Sequence, residues 1–339
     1  MDFSHIINFP DVEEDQYLDQ IKNATAPEYH NVIFGQADKL RQLRDIKTTQ
    51  MVYVIHGQPG VVPTPKESSR WLTTLGNMDL YEFNAIASEI PITVVTPVIN
   101  AKECYDKVCH QYGLQPVVKD FYPITKFIFR WLNWCLGYKK IDEPDYDCSK
   151  LFICMNGKPK TIRTILMNKL WSMKLLDKAH WTWHGKTWVQ KGFTFPHITT
   201  NDFPLYEDRT LGENTIWRID PPDVPEEYHD AYIDVSVETM HEPNAVAYTE
   251  KTLRPYWLSK PCIQLSFYGH YNYLESLGIK LYTEMFDYDL LEQPDMNKRV
   301  NGIIKNLESL ANKTQSEMNA LIESIGPKIK HNKDIVCNM

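Results

Sequence analysis

The chain has 339 residues, of which 43% are hydrophobic and 24% are charged, and its formal net charge is -8 at pH 7. This length suits two domains, and the composition is that of a globular protein. The negative charge counts against a protein that coats nucleic acid, although it is compatible with a local basic surface. The seven cysteines include no CxxC pair, so we expect neither a disulfide framework nor a zinc site.

The expected compartment is the cytoplasm. The opening residues, MDFSHIINFPDVEEDQ, lack the basic region and the apolar run of a signal peptide. No apolar run reaches the length of about 18 residues that indicates a transmembrane helix. Cysteines without paired spacing also fit a reducing environment. We therefore expect no membrane partner.

The N-terminal part of the chain predicts a parallel α/β sheet. After an irregular lead-in over residues 1–30, apolar runs at 31–34 and 51–55 enclose a helix-like segment at 37–47, which is the βαβ pattern. His56 follows the second run in a glycine-containing loop, where ligands gather in open α/β sheets. Further along, we predict a strand at 91–97, a helix at 101–111, a strand at 115–119 and an apolar helix at 124–138.

A second α/β pattern follows a charged, proline-containing segment at 139–150, which we interpret as a linker. The region 180–230 is rich in Trp, His, Pro and Asp and shows little periodicity. The predicted strands are 151–155, 231–237, 261–265 and 280–286, and the predicted helices are 161–173, 249–259, 271–277 and 296–325. The predicted fold class is α/β, with lobes over 1–140 and 150–295 and a C-terminal helix over 296–339 that packs back on the lobes.

The first candidate site lies at LFICMNGKPKTIR, residues 151–163. A strand ends there, a loop containing Gly157 turns, and Lys158, Lys160 and Arg163 come at the start of a helix. The free N–H groups and partial positive charge of a helix N-terminus favour an anion such as a diphosphate. The alternative is a solvated basic helix start, since no glycine fingerprint is complete.

The second candidate site lies at VSVETMHEPNAVAYTEKTLRP, residues 235–255. A buried strand delivers a glutamate at its C-terminal end, where the carboxylate can accept hydrogen bonds from both hydroxyls of a ribose. A threonine can then cap a helix whose first turn carries a lysine, and such a cation can stabilise a departing diphosphate. The alternative is a capped surface helix with ordinary charge pairs. The donor-binding candidates of this stretch are Glu238, Thr249, Glu250, Lys251 and Arg254.

These motifs resemble those of a known enzyme class. Residues 235–265, VSVETMHEPNAVAYTEKTLRPYWLSKPCIQL, are similar to the donor-binding region of GT-B glycosyltransferases, in particular fucosyltransferase-like enzymes in which a Glu precedes a TEK segment. MNGKPKTIR at 155–163 resembles the LNRxPRxHR opening of glycosyltransferases from phages and other large DNA viruses. Residues 175–183 and 271–289 resemble the same group, so the resemblance covers roughly residues 150–335.

The sequence departs from this family pattern at several positions. Gly157 and Lys160 stand where the first motif has arginines, and Ile279 stands where Phe is common. Lysine neutralises a phosphate but lacks the planar, two-pronged grip of arginine. The first 140 residues resemble no family, so the acceptor is not indicated by resemblance.

The resemblance implies two Rossmann-like lobes with a nucleotide-sugar donor in the cleft between them, and transfer of a hexosyl or pentosyl group. It implies that Glu238 holds hydroxyls of the ribose or the sugar. It also implies that Lys251 and Arg163 neutralise the departing diphosphate, with Lys158 or Arg254 assisting. Enzymes of this type generally use the nucleotide-sugar as co-substrate and need no metal or other cofactor.

Transfer to an acceptor hydroxyl also needs a general base. His56 is the first candidate because imidazole titrates near neutrality, although a histidine after a strand often has a structural role. Asp120, at the end of QPVVKD, is the second candidate, and His184 in the Trp-rich HWTWHGKTW segment is the third. We interpret the DYD sequence at 145–147 as linker charge rather than as a metal motif.

Several acceptors are compatible with the sequence. In phage-like relatives the acceptor can be a hydroxymethylated pyrimidine in DNA, a protein or a glycan, and a viral origin would place the enzyme in the host cytoplasm. Basic residues within 37–47, with Lys66 and Arg70, favour DNA, although such a run is also typical of a solvated helix face. A non-catalytic nucleotide-binding interaction protein is the remaining alternative.

Overall fold

The computed structural model shows an α/β protein with two sheets that are built from different parts of the chain. The chain divides into two compact units, Met1–Ile128 with Met240–Tyr248, and Phe129–Thr239 with Thr249–Met339. The structure describes residues 32–34, 51–54, 80–89, 92–96, 101–123, 143–157, 159–190, 207–211, 225–238, 248 and 250–338. The predicted helices at 37–47 and 124–138 lie outside these ranges.

The first unit contains a parallel sheet in the order β1-β2-β3-β4. The first three strands and α2 confirm predicted segments, whereas α1 was not predicted. The α1 sequence LYEFNAIASE places Phe83, Ile86 and Ala87 at helical spacing, and all three are buried. The elements are β1 (Val32–Phe34), β2 (Met51–Val54), α1 (Leu80–Glu89), β3 (Ile92–Thr96), α2 (Ala101–Gln111) and β4 (Asp120–Pro123).

The last strand of this sheet begins later than its sequence suggests. The predicted strand at 115–119 is wrong, because β4 starts at Asp120. The backbone N–H groups of Val117 and Val118 donate to the hydroxyl of Tyr105 on α2, at 3.2 and 3.3 Å. The apolar pair is therefore held by a helix side chain instead of a neighbouring strand.

The second unit contains a sheet in the order β7-β6-β5-β8-β9. Four strands are parallel, and the short edge strand β7 is antiparallel to β6. The predictions for β5, β8, β9, α3, α6 and α7 are confirmed within one or two residues at each end. The elements are β5 (Lys150–Met155), α3 (Thr161–Ser172), β6 (Ala179–His184), α4 (Gly185–Val189), β7 (Asp208–Arg209), α5 (Glu226–His229), β8 (Ala231–Val237), α6 (Glu250–Trp257), β9 (Cys262–Leu265) and α7 (His270–Ser276).

Two segments of this unit differ from the sequence-based expectation. The Trp-rich region contains β6, whose Trp181 and Trp183 are buried, as expected of aromatic residues with high strand propensity. The predicted strand at 280–286 is wrong, because turns occupy it. The Lys280 N–H donates to Asn332 Oδ1 at 2.7 Å, and Asn332 Nδ2 donates to the Lys280 carbonyl at 2.8 Å. This side chain satisfies the backbone groups that a neighbouring strand would otherwise bond.

The C-terminal segment forms two helices, α8 (Met296–Ala311) and α9 (Gln315–Asn338), so the prediction of one helix over 296–325 is wrong. A capping box separates them: the Thr314 hydroxyl accepts from the Glu317 N–H at 3.3 Å, and the Thr314 N–H donates to the Glu317 carboxylate at 2.7 Å. Helix α8 packs on α3 and β9, and α9 packs on α6. None of the described helices is long and apolar enough to cross a lipid bilayer.

Candidate functional site

A row of buried polar residues crosses the carboxyl edge of the second sheet. His184 ends β6, whereas Asn156, Glu238 and Ser266 directly follow β5, β8 and β9. Their exposed fractions are 3%, 1%, 1% and 1%. Polar side chains are seldom this buried without a structural or functional reason, and ligands of open α/β sheets bind at this edge. We call these four residues the edge row.

The strand order of the second sheet reverses between β5 and β8. From β5 the chain continues to β6 on one side, and the later strands β8 and β9 lie on the other side. Ligands of open α/β sheets bind outside the strand ends at such a reversal. Helix α3 follows β5, and Arg163 Nη2 in its first turn donates to the Val237 carbonyl at the end of β8, at 3.3 Å. The two predicted candidate sites therefore meet at the reversal.

The N-terminus of α3 has the properties of an anion site. Its cap residue, Lys160, has extended backbone, and within the described residues no side chain caps the helix there. The first N–H groups of a helix have no intrahelical partner and carry a partial positive charge. Arg163 is 4% exposed, so its charge lies in a poorly solvated environment close to these groups.

The side of β8 that faces α6 is polar. Asp234, Ser236 and Glu238 alternate along the strand and therefore share one face. The Ser236 hydroxyl donates to the Lys251 carbonyl at 3.3 Å, and the Thr252 hydroxyl donates to Glu238 Oε1 at 2.5 Å. Hydrogen bonds therefore fix the first turn of α6 against the carboxyl end of β8. A carboxylate that is already oriented in this way is preorganised to accept further hydrogen bonds.

Strand β9 holds the same helical turn. Gln264 Nε2 donates to the carbonyls of Lys251 and Thr252, at 3.2 and 3.1 Å. Gln264 Oε1 pairs with His270 Nε2 at 2.7 Å, and burial lowers the pKa of His270 to about 3. A neutral His270 thus orients Gln264, and two strands together hold the half-buried Lys251 at the carboxyl edge.

Arg254 belongs to a buried network in the sheet. Its Nε and Nη2 donate to Asp234 Oδ2 at 3.1 and 2.8 Å, and the Tyr228 hydroxyl donates to the same oxygen at 2.8 Å. Asp234 is fully buried and Arg254 is 7% exposed. Burial, reinforced by the charge of Asp234, holds the pKa of Tyr228 well above its usual value. The Arg254 guanidinium thus binds Asp234 on β8. Its predicted contact with a nucleotide-sugar stays a prediction.

The other predicted donor-binding residues are described only in part. Glu250 is the first residue of α6, at the position where the sequence predicts the helix to begin. Lys158 and Thr249, together with the candidate base His56, lie outside the described residues. Their predicted roles in phosphate binding, helix capping and proton transfer therefore stay predictions.

Asp120 lies at a different edge from the one that the sequence suggested. It is the first residue of β4 and pairs in register with Thr93 near the start of β3, which places it at the amino edge of the first sheet. The sequence-based expectation put it at the end of a strand, where ligands bind. This correction removes the geometric basis for choosing Asp120 as the general base.

His184, in the edge row, has the protonation state that a base requires. Burial lowers its pKa, and the nearby carboxylate of Asp208 opposes this effect. Asp208 pairs in register with His184 across β6 and β7, and its carboxylate accepts from the Thr187 N–H at 3.1 Å and from the Thr187 hydroxyl. The imidazole is therefore neutral at neutral pH.

The DYD sequence has partners within the protein. Asp145 pairs with Lys260 at 2.7 Å and with His229 at 3.2 Å, whereas Asp147 accepts from Asn319 Nδ2 at 2.8 Å. The two carboxylates thus bind different side chains. In the part of the chain that the structure describes, no group of three His, Cys, Asp or Glu side chains is placed to hold a metal ion.

Comparison with protein-family models finds no match for this chain, and comparison with curated proteins finds none either. A glycosyltransferase activity stays a prediction from the two sequence motifs.

Two residues of the edge row, Asn156 and Ser266, were not predicted from the sequence. A signal was present, because each is a polar residue directly after a compact apolar run, at the point where a predicted strand ends.

Proposed function

We propose that this chain is a GT-B-type glycosyltransferase that binds its nucleotide-sugar donor at the carboxyl edge of the second sheet. The observation that carries the proposal is the hydrogen bond of 3.3 Å from Arg163 to the Val237 carbonyl. It joins the two segments that resemble donor-binding motifs, at the reversal of the strand order. A diphosphate suits this place because a helix N-terminus carries a partial positive charge and Arg163 lies in its first turn.

In this proposal the basic groups act on the leaving group. The N-terminus of α3, Arg163, Lys251 and Lys158 bind the diphosphate, whose negative charge increases as the bond to the sugar breaks. Fixed cations and N–H groups stabilise that charge more in the transition state than in the ground state. Glu238, oriented by Thr252, accepts hydrogen bonds from hydroxyls of the ribose or the sugar.

The candidate general base completes the proposed reaction. His56 removes the proton of the acceptor hydroxyl as the hydroxyl oxygen attacks the anomeric carbon, because imidazole can act as a base near pH 7. The proposed acceptor is a hydroxymethylated pyrimidine in DNA, and a protein or a glycan is the alternative. A target base would have to leave the stack of the duplex to react.

The test is a transfer assay with a panel of nucleotide-sugars and mixed acceptors, read by mass spectrometry. Lys251→Ala and Arg163→Met should each lower the transfer rate by about 100-fold or more, the effect of losing one group that stabilises the leaving charge. Lys305→Ala is the matched control, because this lysine is exposed on α8, and it should keep the wild-type rate. Full turnover by both site variants would show that the assigned site is wrong.

The same assay separates the alternatives. A non-catalytic nucleotide-binding protein would gain thermal stability from a nucleotide-sugar but would release no sugar from it. An enzyme that acts on DNA would label hydroxymethylated duplex, and its binding would weaken steeply with salt. Labelling of protein or glycan alone would assign the acceptor to that class.

A further inference from the structure

The loop after β9 presents an aromatic side chain at the carboxyl edge. Tyr268 is 53% exposed, although Ser266 and Phe267 directly before it are 1% and 8% exposed. The loop therefore turns its tyrosine outward beside the edge row. An exposed aromatic ring offers a flat apolar face on which a planar ligand can stack.

This loop is held in place by an acidic side chain. Glu292 Oε2 accepts from the Gly269 N–H at 2.7 Å, and Oε1 accepts from the Tyr271 N–H at 2.6 Å. Gly269 has a φ of +90°, a conformation that glycine adopts without strain. Both carboxylate oxygens thus fix the backbone on the C-terminal side of Tyr268.

Ser266 provides a second, independent observation. Its hydroxyl is buried, and within the described residues it forms no hydrogen bond. Leaving a buried polar group without a partner is costly, and native proteins seldom do so unless a ligand, ion or water completes the site. A hydroxyl in this state, two residues from the exposed ring, indicates a ligand with a polar edge.

The order of the strands gives the length of that ligand. The proposed anion site at the start of α3 follows β5, Glu238 follows the adjacent β8, and Tyr268 follows β9, the next strand. Parallel neighbours are about 4.8 Å apart, so the ends of β5 and β9, which lie two strands apart, are about 10 Å apart across the sheet. A nucleoside diphosphate has its groups in the same order: phosphates, then ribose, then base.

We propose that the loop 266–269 is the nucleobase subsite of this protein. The base stacks on the Tyr268 ring, and its polar edge exchanges a hydrogen bond with the Ser266 hydroxyl. This inference rests on the proposed function, since it takes the diphosphate to lie at the start of α3. It makes Tyr268 and Ser266 the residues that contact the base of the donor nucleotide.

The test compares the binding of UDP, GDP, inorganic pyrophosphate and ribose 5-phosphate by calorimetry. Tyr268→Ala should weaken the nucleoside diphosphate that binds best by about 5- to 150-fold, the effect of losing one base-stacking ring. Binding of pyrophosphate and ribose 5-phosphate should not change. Tyr268→Phe should keep wild-type affinity, as should Tyr146→Ala, the matched control, whose ring is 45% exposed.

Ser266→Ala adds a readout that does not depend on stacking. It should raise the unfolding temperature of the ligand-free protein, because a buried hydroxyl without a partner is removed, and should lower nucleotide affinity. A lower unfolding temperature, or equal nucleotide affinity of Tyr268→Ala and wild type, would overturn the subsite and leave the proposed function standing. Weaker nucleotide binding by Tyr268→Ala, with no effect of Arg163→Met on pyrophosphate and no sugar transfer, would support the subsite and reject the proposed function.

Discussion

The ion pair between Asp234 and Arg254 offers a strict test of how the second unit is held together. Three hydrogen bonds converge on Asp234 Oδ2, two from Arg254 and one from the Tyr228 hydroxyl. Arg254→Met removes the guanidinium and keeps most of the apolar side chain. The carboxylate, which is fully buried, then loses the cation that pairs with it.

The expected loss of stability follows from this burial. Removing one partner of a buried pair costs about 3–5 kcal/mol, because it leaves an uncompensated charge. Tyr228→Phe removes one hydrogen bond to a charged group and should cost about 1.5–3 kcal/mol. Lys330→Met is the control, because it breaks an exposed ion pair: the side chains of Lys330 and Asp334 are 78% and 58% exposed. This substitution should cost less than about 1 kcal/mol.

The assay is urea denaturation followed by tryptophan fluorescence and circular dichroism, with the free-energy change taken from the shift of the midpoint. The expected order of destabilisation is Arg254→Met, then Tyr228→Phe, then Lys330→Met. The double variant Asp234→Asn with Arg254→Met should recover part of the loss, because the unpaired buried carboxylate is removed. Equal costs for Arg254→Met and Lys330→Met would refute the reasoning.

Three further outcomes are expected. Gly302→Ala should destabilise the protein by about 1–3 kcal/mol in urea denaturation, because its Cβ would lie 2.0 Å from the Leu290 carbonyl oxygen. Gly326→Ala is the control: its Cβ meets open space, and the substitution should be neutral or stabilising. Burial lowers the pKa of His270 to about 3, below the value of about 6.5 in the unfolded chain. The stability that the neutral His270 contributes is therefore complete above pH 6.5 and is lost as the pH falls towards 3. His270→Asn should make the unfolding midpoint depend less on pH between these two values. Burial raises the pKa of the Cys154 thiol to about 12, so mass spectrometry should find it unmodified by iodoacetamide at pH 8 in the folded protein and alkylated in urea; alkylation of the folded protein would contradict its burial.

The strand and helix predictions are correct where the local sequence pattern and the tertiary packing favour the same structure. The apolar runs at 151–155 and 231–237 became the central strands, because a parallel strand buried on both faces has a nearly continuous apolar sequence. The segment at 280–286, KLYTEMF, is less apolar and does not form a strand, and the side chain of Asn332 bonds the backbone of its first residue, Lys280. The backbone groups of a strand need hydrogen-bond partners on a neighbouring strand, and a local sequence pattern does not show which part of the chain will provide them.

In the candidate site, too, some features were predictable from the sequence and others depend on the tertiary structure. The sequence alone placed Arg163 at a helix start and Glu238 at a strand end, and it marked both as suited to a nucleotide-sugar. Only the tertiary structure decided that β5 and β8 are neighbours, that Arg163 reaches the end of β8, and that Arg254 pairs with Asp234. Local periodicity reports which face of an element is buried, whereas strand order and buried polar partners depend on contacts between residues far apart in the chain.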